Sequence, residues 1–227
     1  MEYITQTFIP YMTDIIPVLI KGIQVTIWIS AVAFLISIVF GTIIAVIQHL
    51  KIRILSAIAR IYVSYFRGTP LLIQLFLFYY GLPMVFEFMK ACPKSTALII
   101  CLALNSSAYI SETIRGAIDS VDKGQYEASL GFGMTNRQMM LRIILPQAAV
   151  AAIPPIANSC IDIIKMSSLG MTIGIQDIMG EAQLAAATSY KTFETYIVAA
   201  VFYWILVMIL EKLQKKIESK VGAAYKR

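Results

Sequence analysis

The chain has 227 residues, of which 59% are hydrophobic and only 14% charged, and its mean hydropathy is +0.75. Soluble domains run about 45–50% apolar and about 25% charged, which excludes a water-soluble protein and leaves an integral membrane protein, expected as one membrane domain over residues 1–227. The net charge of +6 would suit a nucleic-acid binder if the basic residues clustered on one soluble face, but their distribution along the chain argues otherwise.

An all-α membrane fold follows from the run of apolar segments, since a helix needs about 20 predominantly apolar residues to cross the hydrocarbon. The first ten residues carry Glu2 and no basic cluster, so the first apolar run is expected to be a retained span, not a cleaved leader. That span covers about Ile16 to Ile47. An amphipathic stretch from Ile54 to Phe66 precedes a second span, Leu71 to about Met89, and the two can belong to one broken helix. A third span covers about Thr96 to Ile114. A fourth runs from near Pro146 to near Leu169 with Pro154 and Pro155 inside it, where they should kink it. A fifth runs from Tyr196 to Leu210.

With five spans, fourteen of the 19 basic residues fall on one side. They are Lys51, Arg53, Arg60 and Arg67 after the first span, and Arg115, Lys123, Arg137 and Arg142 between the third and fourth. Lys212, Lys215, Lys216, Lys220, Lys226 and Arg227 come after the fifth. Basic residues mark the cytoplasmic side, so the N-terminus is expected outside and the C-terminus in the cytoplasm. The charge is therefore topology, and no nucleic-acid partner is expected. The lysine-rich end reads as a cytoplasmic helix end near anionic membrane lipid. Trp28 reads as a helix-packing residue, and Trp204 as that or an interfacial anchor. Cys92, Cys101 and Cys160 have no metal-ligand spacing and no metal is expected; Cys101 and Cys160 read as small hydrophobes.

One segment breaks the oily pattern. Lys123 to Pro146, KGQYEASLGFGMTNRQMMLRIILP, is polar and interrupted by glycine. Gln125 to Leu130 suits a short helix, Gly131 and Gly133 break it, and Thr135 or Asn136 can cap a second helix that runs to Leu145. Pro146 is expected to bend the chain where it re-enters the membrane. By itself the segment is a docking hairpin or an ordinary amphipathic connector. Its spacing is more specific: Glu127-Ala128, Gly133, then nine residues, then Ile143-x-Leu145-Pro146. This resembles the EAA loop of ABC-importer permeases, with Ser129 in place of the second alanine. Arg67-Gly68-Thr69-Pro70-Leu71-Leu72 and the run Asn105-Ser106-Ser107-Ala108-Tyr109-Ile110-Ser111-Glu112 are similar to signatures of the polar amino acid branch.

The resemblance implies a type I importer permease in a bacterial inner membrane. Glu127, Ala128, Ser129 and Gly133 would then dock a cytoplasmic ATPase dimer, with ATP and Mg bound on the ATPase and no cofactor on this chain. It further implies a second permease copy or paralogue, an extracytoplasmic substrate-binding protein and an amino acid substrate. The sequence has no G-x-x-x-x-G-K-[S/T] phosphate loop, so energy has to come from a partner and no enzymatic activity is expected of the chain itself.

Polar residues inside spans are costly and tend to face a bundle interior or a water-filled path. Candidates for a substrate path are Asn105, Ser106, Tyr109 and Glu112 in the third span, and Asn158, Asp162, Lys165 and Ser168 in the fourth. Spacings of four and three put Asn158, Asp162 and Lys165 on one helical face. They can line a path, or Asp162 and Lys165 can simply neutralise each other. Related permeases read K-[D/E]-[S/T]-S-L where this chain reads Lys165-Met166-Ser167-Ser168-Leu169, which weakens a lysine or arginine substrate. The stretch from Ser168 to Tyr203 looks more similar to cystine permeases. Two rivals stay open: a motor-independent secondary transporter or channel, for which repeated span pairs would speak, and a membrane-embedded enzyme.

Overall fold

The computed structural model describes residues 9–225, with side chains from 10 to 220; Glu2, Lys226 and Arg227, which bear on topology, lie outside the described residues. The described chain is helical, with no strand. Four helices are long and apolar enough to cross a membrane, and a fifth crossing arises if one bent pair counts as a span.

Helix α1, Ile9–His49, covers 41 residues, about 60 Å at 1.5 Å per residue and thus longer than the hydrocarbon is thick. Helix α2, Arg53–Gly68, carries Arg53, Arg60 and Arg67 at heptad spacing and buries Ser56, Ala59 and Val63 on its other face. At Gly68-Thr69-Pro70 the path breaks and turns by 108°. Proline cannot donate, and it pushes its predecessor out of the helical region. The break is closed locally by Gln74, whose carboxamide donates to the Thr69 carbonyl at 3.0 Å and to its hydroxyl at 2.8 Å. Helices α3, Leu71–Phe76, and α4, Leu82–Val85, come next, joined by a wide π turn, Leu77–Gly81. The amphipathic stretch and the second span are therefore two arms of one broken element.

Beyond them lie α5, Lys94–Asp119, α6, Lys123–Gly131, and α7, Asn136–Met139; a second π turn, Met140–Ile144, leads into α8, Leu145–Ser167. Helix continues through Pro146, because the helical path from Asn136 to Ile173 is continuous. The reason is the π turn. Both π turns end one residue before an X-Pro step, with Leu82 N–H bonded to the Leu77 carbonyl and Leu145 N–H to the Met140 carbonyl. Widening the turn accommodates the proline ring and the missing donor without breaking the rod. The chain reverses earlier, between Gly131 and Thr135. Pro154 and Pro155 lie within the same α8.

A 3₁₀ segment, Ser168–Ile173, then α9, Ile178–Ser189, and α10, Thr192–Tyr225, complete the chain. Helix α9 is too short and too weakly patterned to show as a span in the sequence. Its start is built by Asp177, whose carboxylate accepts from Gly180 N–H at 2.9 Å.

The helices pack as two compact units, each assembled from three stretches of chain. The first takes residues up to 35, 69–103 and 160–211. Its core includes Ile15, Leu19, Ala182, Val198 and Ala199. There Tyr203 Oη donates to the buried Asp177 at 3.2 Å, and the Ile178 N–H donates to Thr26 Oγ1 at 3.2 Å. Burial pushes the Asp177 carboxyl above the usual range, opposed by the donors from Gly180 and Tyr203. Gly22 is required by this packing, since a Cβ there would lie 2.7 Å from the Ile178 nitrogen. The second unit takes residues 36–68, 104–159 and 212 onward. One of its clusters joins Ile44, Ala59, Val63 and Ala108; another joins Ala117, Ile118, Val121, Met139, Ile144, Ala148 and Ala152. Trp28, expected to pack between helices, is 55% exposed, and Trp204 is also exposed; bulky indoles on an apolar helix surface suit lipid or another chain better than this chain's own core.

Candidate functional site

The polar hairpin is fixed at every joint. Asp122 caps α6 by accepting from Gly124 N–H at 2.7 Å. At its other end Phe132 N–H bonds to the Ala128 carbonyl, Gly133 N–H to Leu130 and Met134 N–H to Ser129, at 2.9–3.1 Å. Gly133 has φ +74°, a left-handed geometry that glycine adopts without a Cβ penalty. Thr135 then opens α7 with a capping box: its hydroxyl accepts from Gln138 N–H, and the Gln138 side chain accepts from Thr135 N–H. Beneath, Tyr126, Met134 and Ile143 pack on the cluster of Ala117, Ile118, Val121, Met139 and Ile144. The hairpin is thus held by the ends of α5 and α8 as one piece.

This packing sorts its residues by face. Glu127, Ala128 and Gly133 are exposed. Ser129 is not: it is 5% exposed, and its hydroxyl donates to the Gln125 carbonyl at 2.6 Å. Its expected place on the docking surface is corrected, because three residues from Tyr126 along a helix it shares the inner face. A small side chain there lets the hairpin seat closely. Phe132, absent from the sequence expectation, is 88% exposed at the tip, with Leu130 exposed beside it. An aromatic residue between two glycines was the available signal, and glycine spacing alone does not say which way the ring points.

The candidate path residues separate into three situations. Asn105 and Ser106 are buried, with the Asn105 carboxamide donating to the Phe66 carbonyl at 3.0 Å. Next to them Tyr62 Oη donates to the Leu104 carbonyl at 2.7 Å and lies 2.7 Å from Ser107 Oγ. In this conformation Asn105 and Ser107 join α5 to α2, while among the described residues the buried Ser106 hydroxyl has no hydrogen-bond partner. Tyr109 and Glu112 sit at the rim. Glu112 pairs with Arg115 at 2.7 Å and with Arg67 at 3.2 Å, and Arg67 lies 5.5 Å from the Tyr109 ring centre. Arg115 also reaches Asp119 at 3.2 Å. On α8, Asn158, Asp162 and Lys165 are all exposed; Asp162 and Lys165 form an ion pair of 2.7 Å, and Asn158 accepts from Gln214 at 3.0 Å. Ser168 Oγ donates back to the Lys165 carbonyl at 2.6 Å. Among the described residues no group of three or more His, Cys, Asp or Glu could hold a metal ion.

The chain is a helical membrane protein that presents a polar hairpin between two of its membrane-crossing helices. Residues 37–223 match the model of the binding-protein-dependent transport system inner membrane component family, and the chain belongs to that family. It is 42% identical over 96% of its length to the probable amino-acid ABC transporter permease PatM of Vibrio harveyi, covering 97% of that protein. It is 37% identical to the arginine transport permease ArtQ of Bacillus subtilis (strain 168), over 91% of this chain and 93% of that one. It is likewise 37% identical to the L-cystine transport permease TcyB of the same organism, over 90% and 87%. The crystal structure of an amino acid ABC transporter with histidines superposes with a TM-score of 0.88 at 35% identity, covering 94% of this chain and 98% of that one. The fold is shared as well by an inward-facing MetNI methionine ABC transporter, at a TM-score of 0.77 and 19% identity, over 92% and 98%.

Proposed function

We propose that the chain is the permease subunit of an importer for a polar amino acid, moving it by alternating access driven by a separate cytoplasmic ATPase. Two permease chains each dock a hairpin on one ATPase subunit, where ATP and Mg are bound. An extracytoplasmic binding protein delivers the solute. The N-terminus is outside, and the hairpin and C-terminus are in the cytoplasm. The observation that carries this reading is the hairpin, whose outer face presents Glu127, Ala128, Phe132 and Gly133 on a turn locked from both ends. A fixed surface transmits a push; a flexible connector would absorb it.

For the solute, cystine is favoured over arginine or lysine. Overall identity does not separate them, being 37% to both an arginine and a cystine permease. Against a cationic solute stands Met166, which follows the Asp162–Lys165 pair and offers no carboxylate; for cystine stands the resemblance of the stretch from Ser168 to Tyr203 to cystine permeases. Asn158, Asp162, Lys165 and Ser168, with Asn105, Ser106, Tyr109 and Glu112, remain the proposed path residues. The buried ones among them take part after a change of conformation.

The test is substrate-stimulated ATP hydrolysis by the assembled transporter. Glu127→Lys and Gly133→Asp are expected to insert normally and to lose that stimulation. Unchanged stimulation in both variants would remove the docking assignment.

A further inference from the structure

We infer that the last third of α10 is an anionic-phospholipid binding face, built by Lys212, Lys216 and Lys220 beside Leu213 and Ile217. Helix α10 has 34 residues, Thr192–Tyr225. At 1.5 Å per residue this is about 50 Å, well beyond a hydrocarbon core of about 30 Å. The first charge after the apolar run is Glu211, about 30 Å from the start of the helix. Counted by length from Thr192, the turns beyond Glu211 reach headgroup depth or farther out.

The rotation of this end about its axis is fixed by Gln214. Its carboxamide nitrogen lies 3.0 Å from Asn158 Oδ1 and 3.4 Å from the Pro154 carbonyl on α8, and 2.8 Å from Glu218 Oε1. Gln214 and Glu218, four residues apart, therefore face α8, and both are half-buried. With 3.6 residues per turn, Lys212, Lys216 and Lys220 fall on the opposite side, and all three are exposed. Lys215 is exposed on the flank. Glu211 falls on the inner side with Glu218. The two signs of charge are thus segregated, so that the lysines are not neutralised by their own helix; among the described residues none of them forms an ion pair with it.

The occupant is identified by what lies next to the lysines. Leu213 and Ile217 are each 53% exposed and extend an exposed apolar row, Val201, Ile205 and Ile209, from the membrane-crossing part of α10 at steps of four residues. That row meets acyl chains in the span, and its continuation beside a lysine row matches the boundary between acyl chains and phosphate headgroups. Lysine stems can lie along that apolar surface while the ammonium groups reach the phosphates. A soluble acidic protein would meet the charges but leave the two aliphatic residues in water.

The experiment compares the full-length protein with two triple variants, Lys212→Gln/Lys216→Gln/Lys220→Gln and the same three positions changed to Arg. Each is extracted in polymer-bounded discs from vesicles of phosphatidylcholine and phosphatidylglycerol at about 4:1, and the lipid ratio in the disc is compared with the bulk. The native chain is expected to enrich phosphatidylglycerol about threefold, the Arg variant to match it, and the Gln variant to lose at least about half of the enrichment. Raising salt to about 0.5 M should reduce the native enrichment, and this measurement requires no variant to fold. Equal enrichment in the native and Gln chains, or salt-insensitive enrichment, would overturn the assignment. So would a soluble protein that binds the native chain and not the Gln variant while the lipid ratio stays the same.

Discussion

The hairpin and the polar run of α5 are both polar interruptions in an apolar chain, yet the fold treats them oppositely. In the hairpin, polarity is spent on the joints: Asp122, Thr135 and Gln138 satisfy backbone groups at helix ends, and Glu127 and Phe132 are left facing outward. In α5, Asn105 and Ser107 are turned into the bundle and bonded to helix α2. Inside a membrane bundle an unpartnered amide costs too much to leave idle. The lesson is that a polar residue in a span shows only that something must satisfy it; a neighbouring carbonyl does so as well as a solute. A polar residue on a locked surface hairpin has water as its alternative, so its exposure carries more functional information.

This contrast can be broken by substitution, and the largest effect belongs to the hairpin tip. Phe132→Ala is expected to cut coupled uptake by at least about tenfold, because an exposed, pre-positioned aromatic residue behaves as an interface anchor, while thermal unfolding of the isolated permease stays unchanged. Equal loss of stability would make Phe132 a structural residue. The reverse is expected in α5. Asn105→Ala removes a donor from the part-buried bond to the Phe66 carbonyl and should cost about 1–3 kcal/mol of stability, read as a lower melting temperature in detergent.

Smaller effects sharpen the same comparison. Thr135→Ala should cost about 1 kcal/mol, the usual value of an N-cap, and should weaken coupling more than it weakens assembly; a purely global destabilisation would show that the hairpin is not a separate lever. Asp162→Ala should change stability by less than about 0.5 kcal/mol, since both members of its i,i+3 pair are more than half exposed. It should still alter uptake kinetics. Normal kinetics would demote the Asp162–Lys165 pair to charge neutralisation.

The spans were legible because apolar length is a direct physical requirement of the bilayer, and α1, α5, α8 and α10 lie where those runs predict. The hairpin was legible from glycine and cap chemistry. The features hidden in the sequence depend on the third dimension. Pro146 signals an interruption from its own chemistry, but the helix continues through it by way of the π turn just before it, and nothing in the composition of Met140 to Ile144 marks the turn. Ser129 and Phe132 lie three residues apart in a segment with little apolar periodicity, so their opposite burial was fixed only by packing on α5. Helix α9 rests on one cap, Asp177, whose surroundings draw on residues as distant as Thr26 and Tyr203. Arg67 and Glu112 each stood in a recognisable motif, but their pairing across 45 positions was not visible in either.

The central claim is that this chain moves solute only when a separate motor is seated on its hairpin. The most direct measurement reconstitutes the purified chain in liposomes, with and without its co-purified ATPase, and tracks amino acid uptake. Uptake should require both the ATPase and ATP, and it should vanish when Gly133→Asp replaces the native chain even though the variant inserts. Uptake by the native chain alone, with no ATPase present, would contradict the account.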